Sequence, residues 1–83
     1  MTSIEDRIRE YITRTAGLET PPGDNDPLVA RGYIPSVRLL DLVGFLEDEL
    51  AIRVRPVDLV PERLATIAEI AAMVRTRLRA AKR

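Results

Sequence analysis

Apolar side chains recur every three or four residues in three stretches of the chain, which is the spacing of one face of an α-helix. The first stretch opens on Ser3, followed three residues later by Asp6 as in a capping box, and stops at Gly17. Serine caps helix starts and glycine ends helices, so we predict the first helix between Ser3 and Gly17. Its apolar face comprises Ile4, Ile8, Tyr11, Ile12 and Ala16.

The second stretch predicts a helix from about Ser36 to Leu50. Its apolar stripe is broad, so this helix either packs against two neighbours or leaves part of the face for a ligand or a partner. Gly44 costs the helix about 1 kcal/mol relative to alanine and indicates either the close approach of another backbone or a tolerated glycine. The stripe consists of Val37, Leu40, Val43, Leu46 and Leu50, widened by Leu39, Leu42 and Phe45.

The third stretch begins at Thr66, which can cap a helix with Glu69 in the reciprocal position, and predicts the last helix of the chain. Before it, Pro56 and Pro61 bracket a segment with room for a single turn, which we predict as a short third helix. The apolar positions of the last helix are Ile67, Ile70, Ala71, Val74 and Leu78, and Met73 is expected in the core.

The segment from Leu18 to Pro35 is rich in proline, glycine, aspartate and asparagine, which predicts a long loop. No alternation typical of strands competes with the helical pattern. The sequence therefore predicts an all-α fold, a small four-helix bundle with three main helices, one short third helix and a long loop between helices one and two. The second half of the loop is expected to attach to the core through Leu28, Val29, Tyr33 and Ile34.

The size and composition of the chain restrict the chemistry that we expect of it. With 83 residues it holds a single domain, residues 1–83, whose core is too small to enclose a deep catalytic cleft. It contains no cysteine and no histidine, and therefore no thiolate metal site and none of the most common general bases. We expect neither an enzyme nor a metal-binding protein.

The formal net charge is zero, but the two signs are separated along the chain. Four acidic side chains lie between Ser36 and Leu50 against Arg38 alone, whereas the tail 75–83 carries five basic side chains and no acidic one. We interpret this tail as a fraying helix end that compensates the helix dipole; nucleic-acid binding is the disfavoured alternative. No apolar run reaches the roughly 18 residues that cross a bilayer, and no secretory pattern opens the chain, so we expect a cytoplasmic protein without a membrane span.

Several short motifs follow one another between Leu28 and Val74. Gly32 and Ile34 precede Ser36, which opens the predicted second helix. In their order and spacing, these motifs resemble those of the acyl carrier and peptidyl carrier protein family, in which a serine at this place receives phosphopantetheine. The further matching positions are Leu42–Val43, Leu46–Leu50, Ile52, Val54, Pro61–Glu62, Thr66–Ile67 and Ile70–Ala71.

The resemblance implies a free-standing acyl carrier protein with a covalent 4′-phosphopantetheine arm on Ser36. The arm would hold acyl or related intermediates as thioesters in fatty acid, polyketide or nonribosomal peptide biosynthesis. It implies as partners a phosphopantetheinyl transferase and acyl-activating, acyltransferase or synthase enzymes, and we expect the carrier to be a monomer. The neutral charge balance favours a specialised pathway over bulk lipid synthesis. The predicted partner-docking residues are Arg38, Asp41, Glu47 and Asp48.

The sequence departs from the family pattern beside the serine. Pro35 replaces the usual aspartate, Val37 replaces the usual leucine, and Arg38 follows. Proline fixes φ at a helix entrance but accepts no side-chain hydrogen bond, which leaves Ser36 as a candidate cap. The alternative function is therefore a carrier-derived interaction module that is not phosphopantetheinylated. The broad stripe at Leu39, Leu42 and Phe45 is either core or, in part, the lining of a cavity for an acyl chain.

Overall fold

The structure is a computed structural model that describes residues 2–81. Over this range the chain forms three α-helices and no strand: α1 spans Ile4–Ala16, α2 spans Leu39–Leu50 and α3 spans Ile67–Ala81. The predicted all-helical fold is confirmed. The last two residues of the basic tail, Lys82 and Arg83, lie outside the described residues.

Both predicted ends of α1 are confirmed. The backbone N–H of Asp6 donates to the Ser3 hydroxyl over 3.0 Å, which satisfies one of the amide groups that a helix start leaves without a partner. Gly17 adopts the left-handed conformation with φ of 65°, and its N–H donates to the carbonyl of Thr13. Short-range contacts within one turn thus determine where α1 begins and ends.

The prediction that α2 begins at Ser36 is wrong by three residues. Ser36–Arg38 form a 3₁₀ turn, in which the N–H of Arg38 donates to the carbonyl of Pro35 over 2.8 Å, and α2 follows from Leu39. The tighter turn uses the carbonyl three residues back, a common arrangement at helix starts. The suggested close backbone approach at Gly44 is also wrong, because a Cβ atom there would meet nothing within 4 Å.

The structure does not confirm a four-helix bundle. Between α2 and α3 the described chain forms two 3₁₀ turns, Pro56–Asp58 and Pro61–Arg63, in place of the predicted short third helix. A proline occupies the first position of each turn. Pro61 has no N–H to donate and disfavours helical geometry in the residue before it, so one continuous helix cannot form here.

The N-terminus of α3 is held by a cap and by a neighbouring segment. The N–H of Glu69 donates to the Thr66 hydroxyl over 3.1 Å, which confirms the predicted cap. The N–H of Ala68 donates to the carbonyl of Asp24 over 2.9 Å. The basic side chains from position 75 to Arg79 lie within α3, which is helical to Ala81.

Residues 17–35 contain no helix and no strand, and they are attached to the helices at several points. Leu28 is fully buried and its N–H donates to the carbonyl of Ala65 over 2.9 Å, while the Nε of Arg9 donates to the carbonyl of Pro22 over 2.8 Å. Val29, expected to pack on the core, is 40% exposed. The core consists of Ile8, Ile12, Leu28, Ile34, Leu42, Leu46, Leu50, Ile52, Leu64, Ile67, Ile70, Ala71, Met73 and Val74.

Candidate functional site

An apolar groove of about 510 Å³ lies between the start of α2 and the 3₁₀ turns that precede α3. Pro56 and Pro61 prevent a continuous helix in the segment that contains them. This segment forms the side of the groove opposite α2, the facing wall. The side chains of α2 lining the groove are Leu39, Leu40 and Val43. Those of the facing wall are Leu59, Val60, Pro61, Leu64 and Ala65, and the segment before α2 adds Pro27, Val29, Ala30 and Ser36.

Ser36 is exposed at this groove, and it has the only polar side chain among the described residues that line it. Neither its 3₁₀ turn nor α2 receives a side-chain cap within the described residues, so the predicted role of Ser36 as a helix cap is wrong. The Ser36 side chain is therefore exposed to solvent and does not cap a helix. It is placed where a chain attached to it reaches apolar surface.

The residues that line the groove show which part of the broad α2 stripe faces a cavity. Leu39 lines it, whereas Leu42 is only 1% exposed and belongs to the core. Phe45 stacks on Tyr11 of α1 with ring centroids 4.3 Å apart, so it joins the two helices. Leu40, which the sequence placed in the same stripe, lies in the groove and remains 70% exposed. Leu40 shares this exposed apolar lining with Val29 and Leu59.

Three of the four predicted docking residues lie on exposed positions around the start and outer face of α2. Arg38 and Asp41 form an exposed pair with Nη1 and Oδ2 3.5 Å apart, and Asp48 lies seven residues after Asp41. Residues seven apart share one face of a helix. Glu47 is placed differently, because its Oε2 accepts a hydrogen bond from the N–H of Val54 over 3.0 Å. The Glu47 carboxylate thus binds the backbone of the segment that follows α2.

Sequence reasoning missed Asp58, a fully buried carboxylate behind the facing wall. Its Oδ1 lies 3.4 Å from Nη1 of Arg63 and its Oδ2 lies 3.1 Å from Nε of Arg77. An acidic residue among the apolar residues Val57, Leu59 and Val60 is the only local sign of such a site in the sequence. Its basic partners come from farther along the chain and follow no periodic pattern.

Comparison of the sequence with models of known protein families and with curated proteins gives no match. The family resemblance therefore stays a prediction. In the described part of the chain, no helix combines the length and the apolar character needed to cross a bilayer.

Proposed function

We propose that the chain is a carrier protein that holds acyl or related intermediates as thioesters on a 4′-phosphopantetheine arm attached to Ser36. The observation that carries the proposal is an exposed serine that caps no helix and that, among the residues the structure describes, is the one polar side chain on an apolar groove. On this proposal the two 3₁₀ turns, Pro56–Asp58 and Pro61–Arg63, take the place of the short third helix of a four-helix carrier fold.

The residues around Ser36 suit such a group. The serine lies at the N-terminal end of a helical segment continuing to Leu50, where the helix dipole favours a phosphodiester. The arm, when bound, supplies the thiol that the chain itself lacks. The apolar groove beside Ser36 then shields an acyl chain from water, with Leu39, Leu40 and Val43 on one side.

The same arrangement suits transient meetings with several enzymes. The exposed acidic side chains Asp41 and Asp48 would attract basic surfaces of a phosphopantetheinyl transferase and of acyl-activating, acyltransferase or synthase enzymes. Charge complementarity of this kind speeds encounter more than it strengthens binding, which is what a shuttle requires. We propose that the carrier acts as a monomer in the cytoplasm, in fatty acid, polyketide or nonribosomal peptide biosynthesis.

Intact-mass measurement after incubation with a broad-specificity transferase and coenzyme A tests the proposal. We expect a gain of one phosphopantetheine in the natural chain and no gain in Ser36→Ala. Ser3 is the other serine of the chain and caps α1, so Ser3→Ala is the matched control and should gain the arm. An unmodified natural chain, or an adduct that persists in Ser36→Ala, refutes attachment at Ser36.

The alternative function is an interaction module that is not modified, and it is motivated by Pro35 at the position of the family's aspartate. Pro35 has extended backbone angles, with φ of −63° and ψ of 146°, which an aspartate also adopts. Pro35→Asp should therefore fold. If Pro35→Asp gains the arm while the natural chain remains inert, the interaction module is the better account.

Arg38 is the cation nearest in sequence to the proposed phosphodiester, and its side chain is 69% exposed. We expect Arg38→Ala to slow loading of Ser36 and to make the arm more mobile, since an exposed ion pair contributes roughly 0.2 to 1 kcal/mol. Loading rates and phosphorus NMR relaxation of the loaded protein measure the two effects. If the loading rate and the phosphorus relaxation are both unchanged, Arg38 does not interact with the phosphodiester.

A further inference from the structure

Asp58 is the one charged residue that is fully buried within residues 2–81. Its Oδ2 accepts a hydrogen bond from the N–H of Arg55 over 3.1 Å, and its Oδ1 accepts one from Nη1 of Arg63 over 3.4 Å. The Nε of Arg77, in α3, lies 3.1 Å from Oδ2. A carboxylate is costly to bury without partners, and these groups are the partners that compensate the burial of Asp58.

Arg77 makes the contact that connects this cluster to a main helix. Its side chain is 14% exposed, and its Nε makes no hydrogen bond within the described residues. The N–H is therefore not aimed at the carboxylate, and the attraction is that of an ion pair. Arg63 and Arg55, by contrast, belong to the same stretch of chain as Asp58.

Residues 56–64, the wall segment, have few other attachments. The main-chain hydrogen bonds that the wall segment makes in the described part of the chain all close within residues 55–64. Leu64 is its one buried apolar side chain, whereas Val57 and Leu59 are exposed. The ion pair between Asp58 and Arg77 is thus its principal polar tie to α3.

The wall segment is also one side of the apolar groove. Leu59 and Val60, which directly follow Asp58, face Leu39 and Val43 of α2 across it. Neither Asp58 nor Arg77 lines the groove. Any displacement of Asp58 away from α3 moves the two residues after it, and with them the distance between the groove walls.

We propose that the ion pair between Asp58 and Arg77 sets the width of the apolar groove and thereby limits the length of the acyl chain that the groove accepts. Both are positioning residues. The inference rests on the proposed function in taking an acyl chain as the ligand, but it does not require Ser36 to be modified. Loss of the pair leaves the wall segment anchored mainly through Leu64 and lets the groove open.

The test uses the full, unmodified chain and the hexanoyl and dodecanoyl thioesters of N-acetylcysteamine. Their affinities are measured from NMR shifts of the methyl groups of Leu59, Val60 and Leu64. In Arg77→Met, which keeps an apolar stem and removes the charge, we expect dodecanoyl binding to strengthen relative to hexanoyl. Each newly admitted methylene contributes about fourfold to that ratio.

Three variants complete the design. Arg77→Lys retains the charge beside Asp58 and should keep the natural ratio, and so should Arg79→Met, which removes an exposed arginine two residues along α3. If Arg77→Met does not fold by circular dichroism, Arg77→Gln replaces it. The proposal is overturned if the natural chain binds neither thioester, if the charge-removing variant at position 77 keeps the natural ratio, or if Arg79→Met changes it equally. The charge-removing variant can also change the ratio of dodecanoyl to hexanoyl binding while no transferase loads the natural chain. That result supports the role of the ion pair and refutes only the proposal that Ser36 carries the arm.

Discussion

Ala51 ends α2 in a conformation that residues with a Cβ atom rarely adopt, with φ of 54°. This left-handed conformation costs an L-residue about 1 to 2 kcal/mol, while glycine loses about 0.4 to 1 kcal/mol through the greater freedom of its unfolded chain. We therefore expect Ala51→Gly to raise the free energy of unfolding by about 0.5 kcal/mol, as measured by urea denaturation.

Ala72 provides the matched control for that substitution. It is an exposed alanine inside α3, where glycine has no left-handed position to occupy. Ala72→Gly should lower the free energy of unfolding by about 1 kcal/mol. A loss of stability in Ala51→Gly as well would show that the end of α2 is not strained in solution.

At the scale of single residues, the sequence predicted what depends on neighbours within one turn. Ser3 and Thr66 cap their helices, and Gly17 ends α1, because each acts on an amide or carbonyl three or four positions away. The role of Glu47 was not predictable in this way. Its partner, the N–H of Val54, lies beyond the end of α2 and is reached only once the chain has turned.

At the scale of helices, Glu5 and Arg75 join the start of α1 to α3. Nη1 and Nη2 of Arg75 each donate to one oxygen of the Glu5 carboxylate over 2.7 Å. The side-chain hydrogen bonds from Arg75, with a backbone hydrogen bond at Glu5, lower the pKa of Glu5 from 4.5 to about 2. The pair stabilises the folded chain above pH 4.5, and its contribution is lost as the pH falls from 4.5 towards 2.

We expect the pKa of Glu5 in Arg75→Gln to return towards its ordinary value, because the donors that favour the carboxylate are gone. A carbon-detected NMR titration of the Glu5 carboxyl group measures the shift directly. Arg79→Gln, an exposed arginine of the same helix, should leave the titration unchanged. A low pKa that persists in Arg75→Gln would contradict the assignment of its cause.

Apolar periodicity predicted which segments become α-helices but not how the others turn. The 3₁₀ turn at Ser36–Arg38 has the residue pattern of a helix start, and only its tighter hydrogen bonding distinguishes it. The sequence left open whether Leu39, Leu42 and Phe45 belong to the core or in part line a cavity, and of these three only Leu39 lines the groove. Its other wall depends on the pairing of Asp58 with Arg77, 19 positions apart, and no local pattern specifies such a contact.

At the scale of the whole molecule, a net charge of zero conceals an excess of acidic side chains on α2 and of basic side chains on α3. Asp41 and Asp48 are exposed on α2, whereas Arg75 and Arg79 are exposed on α3. Fields of this kind act over about 10 Å at moderate salt, so on the proposed function we expect a basic enzyme surface to approach from the α2 side. Separated charge can orient an encounter even when a chain as a whole is neutral.

We therefore expect Asp48→Lys to slow the loading of Ser36 by a transferase about tenfold at low salt, at the lower end of electrostatic steering effects. The difference should shrink as salt is raised, because screening removes steering but leaves short-range contacts intact. Glu19→Lys changes the net charge equally outside α2 and is the control. Second-order loading rates at several ionic strengths measure both variants. Equal slowing in the two variants would mean that total charge, and not the α2 face, governs the encounter.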